Sequence, residues 1–321
     1  MGNRSCTMGV LKTLTDEYFG KTVRGEDCIK YGIDTEHPTR DLTEEERAFL
    51  TGLSSYTMFL DRSLFFQVKD LMRHTELMLS GEECVQEPSE SDEPQRDINV
   101  LETLLKEPDV QENCELKEVL EKQLDAMRDD LKKNGGSGKP ARLLGKYEHG
   151  NGEKSQVILY VKNIEQRAKD DARNTMLLMG QALLHEYFHS FNRHAGEGGV
   201  EHIWWIEEPM AEYGSLAVLD GVAQSGLPVA KDAGEALTYT HDFVKSKQKC
   251  KGMMAAYGFG AYLFAAHKDE CRSFLARYAN VSSLMDECEK NSLVFKYMLY
   301  PHYPSSRYLE ELTYNMLLEL I

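Results

Sequence analysis

The sequence predicts an α+β fold with a small β-sheet and a predominantly helical remainder. Residues 170–194 repeat apolar side chains at helical spacing, which indicates one long helix. Residues 155–164, SQVILYVKNI, are rich in β-branched side chains, and residues 142–147 precede them across a turn-like sequence at 149–152. We therefore expect a hairpin directly before the long helix.

The composition limits the classes of partner. The chain has 321 residues and a formal net charge of -16, from 53 acidic and 37 basic residues. Because this balance gives no patch that would neutralise phosphates, we expect neither nucleic acid nor an anionic membrane as a partner. The seven cysteines form no C-x-x-C pair, and no N-terminal apolar run is long enough for a secretory signal. We expect a cytoplasmic protein, or a secreted one if a leader has been removed.

The pattern along the chain suggests five regions. Thr43 and Glu46 form a capping-box pattern, and the apolar positions that follow predict a mostly helical stretch up to Leu79. A charged amphipathic helix with an apolar stripe is expected from Leu116 to Leu131, and it could bind a protein partner as a coiled coil. The predicted regions are a helical part at 1–80, an acidic linker at 81–97, the amphipathic helix and a glycine-rich hinge at 98–139, a core at 140–225 and a helical lobe at 226–321.

A candidate metal motif lies on the long helix. His185-Glu186-Tyr187-Phe188-His189 has the form H-E-x-x-H. At 3.6 residues per turn, His185 and His189 lie one turn apart on one face, where both imidazoles can bind a single Zn²⁺. Glu186 is offset from them, so that it can accept a proton from a water whose pKa the zinc lowers to about 7.

A third ligand is predicted downstream. Glu208 follows His189 after eighteen intervening residues, within the segment IWWIEEPMAEY. This segment resembles the second zinc helix of the gluzincin metallopeptidases, whose aminopeptidase N-like branch has N-E-G-x-A-x-Y at the same separation. Glu208, Ala211 and Tyr213 match that pattern, whereas Glu207 and Pro209 depart from it. The resemblance implies a thermolysin-like zincin core at 140–225 that contains both zinc helices.

The resemblance also implies roles for two further residues. Glu212 is placed like the carboxylate that orients a zinc histidine in thermolysin-like enzymes, although a solvated helix carboxylate would occupy the same position. Tyr257 lies in Tyr257-Gly258-Phe259-Gly260 and matches the tyrosine that stabilises the tetrahedral intermediate, with helix packing as the alternative. Other candidate donors are His194, His202 and His241, for which a packing or exposed role is favoured.

The substrate is expected to be a peptide or protein. In zincins the strand before the motif helix commonly forms the edge that a peptide joins, and Val157, Leu159 and Val161 lie in that place. Aminopeptidase N-like enzymes have a G-x-M-E-N segment that binds the free amine, and residues 143–164 contain nothing similar. The sequence therefore favours an endopeptidase over an aminopeptidase.

Two other functions remain open at this stage. The zinc site could be structural, in a catalytically silent protein whose N-terminal helices bind a partner. Alternatively, the site could activate water against an electrophile that is not a peptide. The presence of Glu186 favours an enzyme, because a structural site needs only ligands.

Overall fold

The structure, a computed structural model, describes residues 29–59, 65–73, 75–86, 98–99, 101–134, 141–148, 155–194, 204–247, 253–278 and Leu318. The strands are β1 (Tyr31–Ile33), β2 (Thr57–Phe59), β3 (Phe65–Gln67), β4 (Thr75–Ser80), β5 (Val85–Gln86), β6 (Ala141–Arg142), β7 (Gly145–Glu148) and β8 (Ser155–Tyr160). The helices are α1 (Glu44–Ser54), α2 (Val68–Arg73), α3 (Pro108–Glu112), α4 (Cys114–Asn134), α5 (Val161–Arg167), α6 (Ala172–His194), α7 (Trp204–Ala223), α8 (Ala230–Lys247), α9 (Met253–Ala266) and α10 (Lys268–Tyr278). The predicted α+β class is confirmed, with helices predominating.

Helix α1 begins at the predicted capping box. The Glu46 main-chain N–H donates to the Thr43 hydroxyl, and the Thr43 N–H donates to the Glu46 carboxylate at 2.8 Å. The prediction that helical structure continues to Leu79 is wrong, because α1 ends at Ser54 and β2, β3 and β4 follow. In β4 the buried side chains Leu77 and Leu79 alternate at the period of a strand.

A four-stranded sheet lies at the centre of the described chain, in the order β1-β4-β8-β7. Strands β1, β4 and β8 are parallel, and Leu77 of β4 pairs with Val157 of β8. The predicted hairpin is present, because β7 pairs with β8 in antiparallel orientation. The sheet thus joins strands from the predicted 1–80 region to strands from the predicted core.

Helix α5 replaces the end of the predicted strand. Strand β8 ends at Tyr160, and the chain then forms α5 from Val161, where a strand was expected to continue to Ile164. Val161 and Ile164 are both buried and lie three residues apart, so they share the buried face of this helix.

One apolar core includes side chains from most of the predicted regions, among them Phe49, Leu101, Leu159 and Leu263. The amphipathic helix is confirmed as α4, and Leu120, Leu124 and Met127 of its stripe belong to this core. Residues 87–97 of the expected linker and 135–140 of the expected hinge lie outside the described residues.

The helices that follow the sheet determine where the site forms. Helix α7 packs against α6, α8 and α9. Helices α6 and α7 approach closely at Gly214, where a Cβ would lie 2.5 Å from the Phe188 ring. A side chain at this position would separate the two helices of the predicted zinc site. In the described part of the chain, no helix has the length and apolarity that a membrane span requires.

Candidate metal centre

Helix α6 presents the motif histidines on one face. Tyr187 and Phe188, which separate the two histidines in the sequence, are buried in the core. His185 and His189 both lie close to Glu208 of α7. The rings of His185 and His189 have centroids 5.0 Å apart and meet edge to face. This arrangement follows from the i, i+4 spacing of the two histidines.

Helix α7 brings Glu208 to both histidines. Its carboxylate oxygens lie 3.1 Å from His185 Nε2 and 3.6 Å from His189 Nε2. The three ligand atoms lie within 4.8 Å of one another, and the described residues contain no other such group of three or more. The structure therefore brings together the three side chains that the sequence predicts as ligands, in a group that could bind a metal ion.

The donor atoms of these three side chains lie close enough together for a single ion to contact all three. Zinc bonds of about 2.0–2.2 Å place neighbouring donors of a tetrahedron roughly 3.3–3.6 Å apart. The distances of 3.1 Å and 3.6 Å are of this order and involve different carboxylate oxygens of Glu208. Two imidazoles and one carboxylate also form a common ligand set of catalytic zinc.

The charges at the site are complementary. Burial alone would lower the pKa of His185, but hydrogen bonds to Glu208 and Glu212 outweigh it and raise the pKa well above its usual value. Burial would raise the pKa of Glu208, but His189 and His185 outweigh it and lower the pKa. Glu208 is therefore ionised, as a metal ligand must be, and a cation would displace the proton of His185.

Glu212 contacts the other ring nitrogen of His185. Its Oε2 lies 3.1 Å from His185 Nδ1, and both side chains are buried. The predicted position of Glu212 behind a ligand is therefore present in the structure. Gln181, which the sequence analysis did not single out, donates to the same oxygen at 2.9 Å. Its position four residues before His185 was the available signal, since it places both on one face of α6.

Glu186 lies next to His185 in the chain, beside the candidate ligand group, and is 8% exposed. Burial raises its pKa to about 7, because the positive charge of His185 only partly offsets the loss of water. The main-chain N–H of Tyr147 in β7 donates to this carboxylate. The carboxylate can thus accept or return a proton near neutral pH, which is the property of a general base and acid.

Tyr257 of α9 packs against the centre. Its ring meets the His185 ring edge to face, with centroids 5.2 Å apart. Burial and then the charges of Glu208, Glu186 and Glu212 raise the pKa of Tyr257 well above its usual value. The phenol is therefore protonated over a wide pH range and can donate a hydrogen bond.

The substrate strand proposed from the sequence is wrong. Val157 and Leu159 lie in β8, which is fully buried at these positions and paired on both sides, with β4 and with β7. Val161 lies in α5 rather than in a strand, and it is also buried. An inner strand has no unpaired edge that a peptide could join.

Strand β7 is the edge that adjoins the site. No other described strand pairs with its outer side. Tyr160 N–H donates to the Leu144 carbonyl, so these two residues form a hydrogen-bonded pair of the β7–β8 ladder. In an antiparallel ladder, hydrogen-bonded pairs alternate with pairs that are not hydrogen-bonded. The main-chain groups of Gly145 and Tyr147 therefore point away from β8. Gly145 lies against Glu186, since a Cβ there would be 2.8 Å from Glu186 Cγ.

The other histidine candidates are not placed by the structure. His202 and the side chains of His194 and His241 lie outside the described residues. In comparisons with family models, curated proteins and solved structures, nothing matches this chain.

Proposed function

We propose that this protein is a zinc-dependent peptidase of the gluzincin type, with a thermolysin-like catalytic unit and endopeptidase action. The observation that supports this proposal most is Glu186, a buried carboxylate beside the ligand group with a pKa of about 7. A purely structural zinc site needs ligands alone, and burial of a further carboxylate would only cost stability there.

The residues of the candidate centre would have different roles in catalysis. His185, His189 and Glu208 would bind Zn²⁺, which lowers the pKa of a bound water to about 7 and polarises a carbonyl. Glu186 takes a proton from the attacking water and returns it to the leaving amine. The Tyr257 hydroxyl would donate a hydrogen bond to the developing oxyanion and keep its proton.

The outer edge of β7 supports a peptide as the substrate. The Tyr147 N–H on this edge donates to Glu186, and the main-chain groups of Gly145 point outward from the same edge, close to Glu186. A peptide whose backbone pairs with Gly145 would lie alongside the Glu186 carboxylate, and it would be recognised without regard to a free terminus. This geometry favours cleavage inside a chain.

Metal content and cleavage test the proposal together. Zinc should be stoichiometric in the purified protein and lost in His185→Ala and Glu208→Ala. Glu186→Gln should retain zinc and lose cleavage of a peptide library by roughly a thousandfold or more, since it removes the general base. Glu118→Gln on the charged helix α4 is the matched control and should cleave normally.

If the protein is an endopeptidase, it should cut peptides with acetylated amino termini as fast as peptides with free amino termini. Unchanged zinc in either ligand variant would contradict the metal assignment. A zinc-loaded wild type that cuts no peptide would favour a silent structural site or a different substrate.

A further inference from the structure

We propose that Gln181 is a positioning residue for the metal centre, which fixes the Glu212 carboxylate on His185 and so determines the affinity and geometry of zinc binding. This inference rests on the zinc site of the proposed function. It assigns a role to a residue outside the H-E-x-x-H motif and outside the ligand set.

Three buried side chains form a continuous hydrogen-bonded chain. Gln181 Nε2 donates to Glu212 Oε2 at 2.9 Å, and the same oxygen lies 3.1 Å from His185 Nδ1. Gln181 is 8% exposed and Glu212 is 3% exposed. Water therefore cannot readily replace the amide as a donor to this carboxylate.

The two donors act on one oxygen atom. With His185 Nδ1–H directed at Glu212, Nε2 is left as the metal-binding nitrogen, and it is the nitrogen that faces Glu208. A carboxylate turned away from Nδ1 would leave the ring free to rotate and to change tautomer. Gln181 opposes that rotation because its amide binds the oxygen that His185 requires.

The stem of Glu212 also lies close to helix α9. A Cβ at Gly260 of α9 would lie 2.7 Å from Glu212 Cβ and 2.6 Å from the Pro209 carbonyl oxygen. Helix α9 therefore confines the root of the side chain, while Gln181 on α6 fixes its end. Contacts of Glu212 with Gln181 of α6 and with α9 therefore determine the orientation of His185, although neither contact involves a metal ligand directly.

Zinc affinity of the full-length protein, measured by competition with a chromophoric chelator, tests this role. Gln181→Met keeps the length of the side chain and removes its donor, and it should weaken zinc binding by about tenfold to a hundredfold. The matched control is Gln166→Met, because Gln166 also donates to a glutamate, Glu83, but at an exposed site. Its zinc affinity should equal that of the wild type.

Two further readouts separate positioning from a general packing role. The visible absorption bands of bound Co²⁺ report the coordination geometry, and they should change in Gln181→Met but not in Gln166→Met. In a double-mutant cycle, Gln181→Met should add less than about a twofold loss in a Glu212→Ala background, since Gln181 acts through Glu212.

The outcomes distinguish this inference from the proposed function. If the wild type binds zinc and Gln181→Met binds it equally with unchanged Co²⁺ bands, the positioning role alone is wrong. Additive losses in the cycle would also overturn it, because Gln181 would then act independently of Glu212. If Gln181→Met does not fold, Gln181→Leu, which also removes the donor and adds no charge beside Glu212, is measured in the same way. A wild type without zinc affinity would overturn both proposals.

Discussion

Two buried carboxylates at the centre have pKa values shifted in opposite directions. Glu208 contacts two imidazoles, and their charges lower its pKa in spite of burial. For Glu186 the positive charge of His185 offsets burial only in part, and burial raises its pKa to about 7. Both carboxylates are buried, and their neighbours make the difference. The imidazoles beside Glu208 keep it ionised, as a ligand must be, whereas Glu186 can exchange a proton near neutral pH, as a base must.

The raised pKa of Glu186 predicts a pH-dependent cost to the metal-free protein. Its pKa rises from 4.5 in the unfolded chain to about 7 in the fold, so folding favours the protonated form. The contribution of the protonated Glu186 to the unfolding free energy is fully present below pH 4.5 and is lost as the pH rises through about 7. Relative to Glu186→Gln, the wild type should lose up to about 3 kcal/mol of unfolding free energy over that interval.

Urea denaturation in the presence of a chelator, repeated from pH 4.5 to pH 8, measures this difference. Glu186→Gln should be the more stable protein at pH 8, and the gap should narrow toward low pH. If the two stability curves run parallel across the interval, the carboxylate is not desolvated as the structure indicates.

At the scale of single elements, the long helices follow from local patterns, whereas strand β4 does not. Helix α6 has apolar residues at helical spacing, and α1 has a capping box, so neighbouring residues determine both. Strand β4 has partners at 31–33 and 155–160, and its short run TELMLS is equally compatible with a helix. Pairing with these distant segments decides that TELMLS forms a strand, and no local sequence pattern indicates that pairing.

The same distinction applies to the candidate site. His185, Glu186 and His189 are fixed by their spacing along one helix, and Glu208 follows from the resemblance. The contact between Gln181 and Glu212 depends on how α6 and α7 approach each other, and the edge position of β7 depends on which strands pair. These features are set by tertiary packing, so a sequence pattern could not give them.

Strand β7 can lie against the motif helix because residue 145 is a glycine. In Gly145→Ala the added Cβ would lie 2.8 Å from Glu186 Cγ and 3.0 Å from its Oε1. We expect the carboxylate to be displaced, with zinc content retained and peptide cleavage reduced roughly tenfold to a hundredfold. The steady-state rate on a peptide substrate, together with metal analysis of the same preparation, measures this effect.

Gly234→Ala in α8 is the matched control, because its Cβ would meet only Ala223 at an ordinary 3.6 Å. Its activity should be unchanged, and its stability should rise by about 0.5–1 kcal/mol as expected for a helix interior. Full activity in Gly145→Ala would show that β7 does not determine the position of Glu186.

At the scale of the whole molecule, the centre joins elements that are far apart in the chain. Helices α6 and α7 carry the three side chains that could bind a metal ion, α9 contributes Tyr257, and the β7 main chain donates to Glu186. Because the unfolded chain has no such arrangement, zinc that binds the folded state alone must stabilise it. The stabilisation should appear in global unfolding.

Thermal unfolding with and without zinc measures this coupling. At a free zinc concentration a hundredfold above Kd, the gain is about 2.7 kcal/mol, which corresponds to a rise in Tm of roughly 5 °C or more. Since the chain has a net charge of -16, any divalent cation could stabilise it weakly by screening, and Mg²⁺ at equal concentration controls for this. Glu208→Ala should respond to zinc no more than to Mg²⁺. An equal rise in Tm for wild type and Glu208→Ala would instead place the stabilising zinc away from the three ligands.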